Sequence, residues 1–364
     1  SSKGEANTFM EKEIHEQPVA IYDTMMNNNW EQVAEKIFDI FDERIITNVT
    51  LIACGTSLHA CMVGSMMIEG VSRFRARSRL ASEVSASAAI IDSNDLVIAI
   101  SQSGETADTL QAIRYAKMKG ATVISIVNTR GSSGENISDY TIHTAAGQEI
   151  SVASTKAFSS QLIVLTMITM ILRACRSGSD VAREQFVTTQ NEIYRCADQM
   201  VHIFNQKNKI REISEEIADA KTVLYLGRGL NVPIALEGAL KLKEISYIHA
   251  EGFAAGEMKH GSIALIEEGT PVIAIVDKGQ AYKKMLSSIE EAKSRGAKII
   301  AVATEGDFGM NSIADHVIFI PKVSELFVPL MATVPLQLLA MYTAECLGTD
   351  IDKPRNLAKS VTVE

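Results

Sequence analysis

The stretch Ile98-Ala-Ile-Ser-Gln-Ser-Gly-Glu-Thr-Ala-Asp-Thr109 carries an apolar strand straight into a hydroxyl-rich turn and then a helix. That order of parts builds an anion site. Backbone N–H groups at a helix start have no partner within the helix and lie at its positive end. Ser101, Ser103 and Thr106 add hydroxyl donors, and Gln102 adds an amide. A helix cap needs one such residue. Three hydroxyls and a glutamine directly after the apolar run Leu96 to Ile100 read instead as a phosphate cradle. The spacing is neither a Gly-x-Gly-x-x-Gly turn nor a Walker loop, so no nucleotide is implied.

Strand and helix signals alternate on both sides of this stretch. Val49 to Ser57 reads as a strand ending in a glycine turn, with a helix beginning near Ser57. Further on come Ala121 to Val127, Thr141 to Thr144 and the helix Ser154 to Leu172. Alternation of this kind predicts an α/β fold, with a parallel sheet covered on both faces.

The chain then repeats itself. Val97-Ile-Ala-Ile100 returns as Val272-Ile-Ala-Ile275, and Ala116-Lys-Met-Lys-Gly-Ala121 as Ala292-Lys-Ser-Arg-Gly-Ala297. Ile137-Ser-Asp-Tyr-Thr-Ile142 returns as Ile313-Ala-Asp-His-Val-Ile318, and Gln161-Leu162 as Gln337-Leu338. The offset holds at 175 or 176 residues, which predicts a duplicated α/β unit. The expected divisions are a linker and N-terminal helix over 1–27, a first subdomain over 28–195, a second over 196–348 and a C-terminal tail over 349–364. The hydroxyl cluster is not repeated: Ser101 to Thr106 faces Val276-Asp-Lys-Gly-Gln-Ala281, so one phosphate site per chain is expected.

A chain of 364 residues with 46% apolar and 22% charged residues has the composition of a globular protein of about two domains. Its net charge of −9 argues against nucleic acid or an acidic membrane surface as partner. The five cysteines are scattered without metal-ligand spacing and suit free thiols in a reducing compartment, with the cytoplasm expected. No metal site or organic cofactor is indicated. The apolar run Leu162 to Leu172 is too short to span a bilayer and reads as a core or interface helix.

Two further segments of the second copy carry chemistry. In the helix Ile234 to Tyr247, Glu237, Lys241 and Glu244 fall on one face at spacings of four and three. Such charges on a helix face are commonly just solvated. Immediately after comes His249-Ala-Glu-Gly-Phe-Ala-Ala-Gly-Glu-Met-Lys-His-Gly261, a loop of small residues that lets a ligand approach the backbone. His260 is its better candidate for proton transfer near neutral pH. The last nine residues, Asn356 to Glu364, hold alternating apolar residues and the lone Lys359, as suits a tail folded over a site.

Cys54-Gly-Thr-Ser57, Ser101 to Thr109, Val152-Ala-Ser-Thr-Lys-Ala-Phe158, Leu236 to Glu251 and Pro354 to Glu364 occur in that order. Together they closely resemble the isomerase half of the glutamine:fructose-6-phosphate aminotransferase (glucosamine-6-phosphate synthase) family, over nearly the whole chain. The serine-rich loop alone indicates a sugar-isomerase (SIS) domain, whereas the lysine-bearing tail is specific to the synthases. The resemblance implies tandem flavodoxin-like SIS subdomains with the tail over the active site. It further implies that Ser101, Gln102, Ser103 and Thr106 hold the sugar phosphate, while Thr56, Ser57, Val152, Ser154 and Ala358 line the sugar. Glu244 would shuttle the proton, with Lys241 and Glu237 beside it. His260 would assist ring opening from the neighbouring subunit of a homodimer, and Lys359 would form an imine. Two departures, Ser262 for the usual proline and Leu58 for the usual aromatic residue, replace no catalytic group. The glutaminase half of the family is missing, so ammonia rather than glutamine is the expected nitrogen source.

The implied chemistry asks for these residue types. Fructose 6-phosphate is mostly a closed ring, which a proton-transfer group must open before C2 can react. A lysine iminium then acidifies the C1 protons. A free lysine is protonated at neutral pH, so burial or a nearby cation is expected to release the amine. The expected products and ligands are glucosamine 6-phosphate, fructose 6-phosphate and glucose 6-phosphate. The alternatives are a plain phosphosugar aldose–ketose isomerase and a non-catalytic phosphosugar sensor. A sensor needs the hydroxyl loop but not the set Glu244, His260 and Lys359.

Overall fold

A computed structural model describes residues 2–364, and over 179–182 the backbone alone. Ten strands form two five-stranded sheets, every pairing parallel. The first comprises β1 (Asn48–Ala53), β2 (Arg75–Leu80), β3 (Asp95–Ser101), β4 (Thr122–Val127) and β5 (Tyr140–His143). The second comprises β6 (Thr222–Gly227), β7 (His249–Ala254), β8 (Pro271–Val276), β9 (Lys298–Thr304) and β10 (His316–Ile320). The spatial orders β2-β1-β3-β4-β5 and β10-β9-β8-β6-β7 are the same winding read from opposite ends. The duplication inferred from sequence echoes is thus a duplication of topology, and each half has the flavodoxin-like order.

The chain divides into two compact units. One comprises Glu16–Glu149, Lys156–Ala197 and Ala358–Glu364 and carries the first sheet; the other comprises Ser1–His15, Ile150–Thr155 and Asp198–Leu357 and carries the second. In each, the middle strands are buried along their whole length, β3, β4 and β8 without an exposed residue. That is why they read as continuous Val/Ile/Ala runs, since helices cover both faces of a parallel sheet.

Edge strands were harder to see. β2, Arg-Ala-Arg-Ser-Arg-Leu, escapes an apolar-run reading because it pairs on one side only and points arginines to solvent, as edge strands do to discourage further pairing. β7 occupies His249–Ala254, so the first half of the expected glycine- and alanine-rich loop is in fact the edge strand of the second sheet. Its small residues serve packing: a Cβ on Gly252 would lie 2.5 Å from the Ala235 carbonyl oxygen of the helix Val232–Ser246.

The two most apolar helices are core helices. Lys156–Ser177 is 22 residues long, double the apolar run seen in the sequence, and it is buried continuously from Lys156 to Leu172. By length and composition it and Glu325–Leu347 could each cross a membrane, yet 78% and 94% of their apolar windows are buried inside the protein. The first packs on the helices Gln17–Met26, Trp30–Glu43 and Gly55–Met67, and Val328–Leu347 packs on Lys207–Ile217 and Val232–Ser246. Between the two sheets the chain is helical, as Ser179–Gln199, Val201–Phe204 and Lys207–Ile217.

Replacing Gly252 by alanine forces a methyl group against backbone that cannot move aside. The expected cost is about 1–3 kcal/mol, visible as a lowered thermal midpoint; an unchanged midpoint would contradict the close approach.

Candidate functional site

In a parallel sheet every strand ends at the same edge, and ligands sit where neighbouring crossovers leave in opposite directions. In the first sheet that point lies between β1 and β3. β1 runs through Cys54 into Gly55, whose φ of +56° turns the chain into the helix Gly55–Met67, with Thr56 and Ser57 in its first turn. β3 ends in Ser101, and the loop Gln102–Thr106 leads to the helix Ala107–Met118.

This loop is tied down from every side. The Ser101 hydroxyl accepts from Gly104 N at 3.0 Å and lies 3.1 Å from the Thr106 hydroxyl, and the Ser103 hydroxyl accepts from Glu105 N at 3.1 Å. Gly104 has φ +69°, and its missing Cβ would fall 2.1 Å from the Ser132 hydroxyl, so only glycine fits. A neighbouring turn clasps the loop through Gly134 N to Gly104 O at 2.9 Å and Ser133 N to the Glu105 carboxylate at 2.8 Å. Those bonds from Ser133 hold the Glu105 carboxyl below its usual range. Thr106, at the N-cap position, makes no side-chain capping bond, so capping does not explain the hydroxyls. Having accepted from backbone N–H groups, the serine hydroxyls keep their own hydrogens to donate.

The C-terminal segment Ala358–Glu364 belongs to the same unit and reaches this loop. Ala107 N at the helix start donates to the Val361 carbonyl at 3.1 Å, so one amide expected to face an anion is held by the tail. Lys359 donates to the Glu149 carboxylate, whose side chain is wholly buried while that of Lys359 is 24% exposed. The other oxygen of Glu149 accepts from Ala157 N at 3.0 Å, in the first turn of Lys156–Ser177. The amine therefore meets an anion in a largely buried setting, where the sequence reading asked for burial or a nearby cation.

In the second unit, Glu237, Lys241 and Glu244 do come together. The Lys241 ammonium is fully buried, 3.1 Å from Glu237 and 2.6 Å from Glu244. Burial by itself would discharge the lysine; the two carboxylates more than reverse this and raise its pKa. Glu237 is buried and Glu244 reaches the surface with 15% of its side chain exposed. This is not a solvated helix face. His260 ends the short helical turn Ala255–His260 after β7 and is exposed. Val152 and Ser154 lie on a segment fixed by the N-terminal helix Phe9–His15 and the chain's end. Ile150 N and Ser151 N donate to Glu13 at 2.6 and 3.2 Å, Val152 N donates to the Asp352 carbonyl at 3.0 Å, and the Asp352 carboxylate caps that helix at Phe9 and Met10.

Sequence reasoning passed over Glu149, Glu13 and Asp352. A signal for the first was present: Glu149 and Glu325 stand 176 residues apart, the offset of the repeat. In the second copy Glu325 accepts from Gln280 N at 2.6 Å, in the loop that corresponds to Ser101–Thr106. Asp277 of that loop is driven up in pKa by burial, opposed by its backbone hydrogen bonds and reinforced by Glu325. With Asp277 in it, Glu325 against it and no serine or threonine, this loop is a poorer place for an anion than Ser101–Thr106.

The model of the SIS domain family matches residues 46–171 and 216–344. The chain is 46% identical over 367 residues to glutamine–fructose-6-phosphate aminotransferase [isomerizing] of Chlorobaculum tepidum, covering all of this chain and 59% of that one. It is likewise 46% identical to the same enzyme of Methanosarcina mazei, over 98% of this chain and 58% of that one. It thus spans about three fifths of these curated relatives. Among solved structures it is similar to the C-terminal domain of glucosamine-fructose-6-phosphate aminotransferase from Francisella tularensis. That match has TM-score 0.90 and 34% identity, and covers 97% of this chain and all of that one. Tagatose-6-phosphate ketose/aldose isomerase from Escherichia coli shares the fold alone, at TM-score 0.77 and 16% identity, with 98% of each chain covered.

Replacing Lys241 by methionine removes the ammonium between two carboxylates. The expected loss is about 3–5 kcal/mol in urea unfolding, and a loss under about 1 kcal/mol would show that the cluster is not held together by charge.

Proposed function

The chain belongs to the SIS family and, within it, to the C-terminal domains of the glucosamine-fructose-6-phosphate aminotransferases. From that premise we propose that it converts fructose 6-phosphate and ammonia into glucosamine 6-phosphate, the sugar-converting half of a reaction whose nitrogen comes from a glutaminase. The observation that carries this reading is a phosphate-type hydroxyl cradle touched by a lysine-bearing tail in one compact unit. A sensor has no use for the lysine.

In this reading Ser101, Gln102, Ser103 and Thr106 hold the phosphate, and Thr56, Ser57, Val152, Ser154 and Ala358 line the sugar. His260 moves the proton that opens the ring, supplied by the partner of a homodimer, which its exposure suits. Lys359 forms an iminium at C2, which makes the C1 hydrogens acidic. Glu244 removes a proton from C1 and the same carboxyl returns one at C2, turning ketose into aldose. Lys241 holds Glu244 in place by a 2.6 Å hydrogen bond, and Glu237 keeps Lys241 charged. Before Glu244 acts, ammonia adds to the C2 iminium and a proton shift lets Lys359 leave as the free amine, so C2 carries the nitrogen of ammonia as a protonated imine through the proton transfer and into the product. The unpaired cysteines fit a reducing cytoplasm as the working compartment.

NMR of the chain with fructose 6-phosphate, with ammonium or glutamine added, separates the readings. Glucosamine 6-phosphate with ammonium but not glutamine is expected. Glucose 6-phosphate under every condition would mean a plain isomerase, and line broadening without product a sensor. Lys359→Ala should abolish turnover and leave sugar-phosphate binding within about twofold; persistence of turnover would remove the imine. Ser103→Ala should weaken binding by roughly tenfold, the worth of one hydrogen bond to a charged oxygen, and an unaltered dissociation constant would undo the phosphate assignment.

A further inference from the structure

We infer that Glu149 is a catalytic proton acceptor and donor for Lys359, a role that rests on the reading of Lys359 as the imine-forming lysine. An amine attacks a carbonyl only after losing its extra proton. The partner of Lys359 is a carboxylate in direct hydrogen-bonding contact. That carboxylate lies behind the amine: Glu149 is closed to solvent and the lysine is not, so a sugar carbonyl approaching from outside meets nitrogen first. The second oxygen of Glu149 accepts from Ala157 N at the positive end of a 22-residue helix, a setting that favours negative charge. Lys156, the other lysine of this segment, is buried and bonded to Glu16 at 2.7 Å, so it does not compete for the role.

The proton balance closes on these groups. Glu149 takes one proton from the Lys359 ammonium. The neutral nitrogen adds to C2, and its second proton passes to the former carbonyl oxygen, giving a carbinolamine. Glu149 then returns its proton to that hydroxyl, which leaves as water while the nitrogen lone pair forms the C=N bond. The sum is ammonium plus carbonyl giving iminium plus water, with Glu149 again a carboxylate. The repeat sets this role in relief: Glu325, its counterpart in the second copy, is exposed and accepts from the backbone N–H of Gln280.

The test is the rate at which fructose 6-phosphate becomes trapped on the protein by borohydride, followed by intact mass across pH 6 to 9. Wild type should trap at a rate nearly flat in pH, because the proton goes to Glu149. Glu149→Gln, which can still accept from Ala157 N, should trap about 10²–10⁴-fold more slowly. Its rate should climb about tenfold per pH unit, since solvent must then deprotonate the ammonium. Glu149→Asp keeps a carboxylate and should be slower than wild type but flat, which also serves if the glutamine variant does not fold. A glutamine variant with wild-type rate and a flat profile, or an aspartate variant as steep as the glutamine one, overturns the role of Glu149 alone. Failure of the wild type to trap any sugar overturns instead the imine reading beneath it.

Discussion

A parallel strand buried on both faces can place an unpartnered polar side chain only at its ends. β3 and β8 carry polar groups nowhere else, Ser125 in the middle of β4 is paired with the Thr141 hydroxyl at 2.8 Å, and the parallel pairing brings the carboxyl ends of each sheet to one edge. The chemistry of this chain follows from that constraint. Thr56 and Ser57 follow β1, Ser101 to Thr106 follow β3, and His260 follows β7. Lys241 and its carboxylates lie on the helix joining β6 to β7, where burial makes charge pairing obligatory.

Duplication supplied the framework twice, and divergence at the strand ends made the copies unlike. Gly55 and Gly229 keep the same left-handed φ, +56° and +57°, because both must turn a strand into a helix. The loops after β3 and β8 share their position and one glycine, Gly104 and Gly279. One offers hydroxyl hydrogens and a backbone pinned by its neighbours; the other is occupied by Asp277 and, from outside, Glu325. Val276, Lys278 and Ala281 stand where the first loop has Ser101, Ser103 and Thr106, so the second loop lacks the hydroxyl donors of the first.

The sequence was a good guide where burial is continuous and a poor one where a residue's meaning depends on distant partners. Central strands, the internal repeat and the serine loop are local patterns, and each stands where it was expected. β2 and β7 are edge strands whose arginines and glycines answer to solvent and to a packed helix, so neither has an apolar signature. Glu149 carries no local mark at all. Its partner is 210 residues away, and only the Glu325 echo hints at it. The opening residues look like a polar linker, yet Met10, Glu13 and Ile14 are buried, and Glu13 holds the backbone at Ile150 and Ser151.

The account turns on Lys359 as the nitrogen that meets the sugar. The direct measurement is to incubate the chain with fructose 6-phosphate, reduce with borohydride, digest, and locate the sugar by tandem mass spectrometry. The account predicts a single modified peptide from the C-terminal tail, with the hexose phosphate on Lys359. A sugar on Lys156 or Lys241, or no modified peptide under conditions that yield glucosamine 6-phosphate from ammonium, would contradict it.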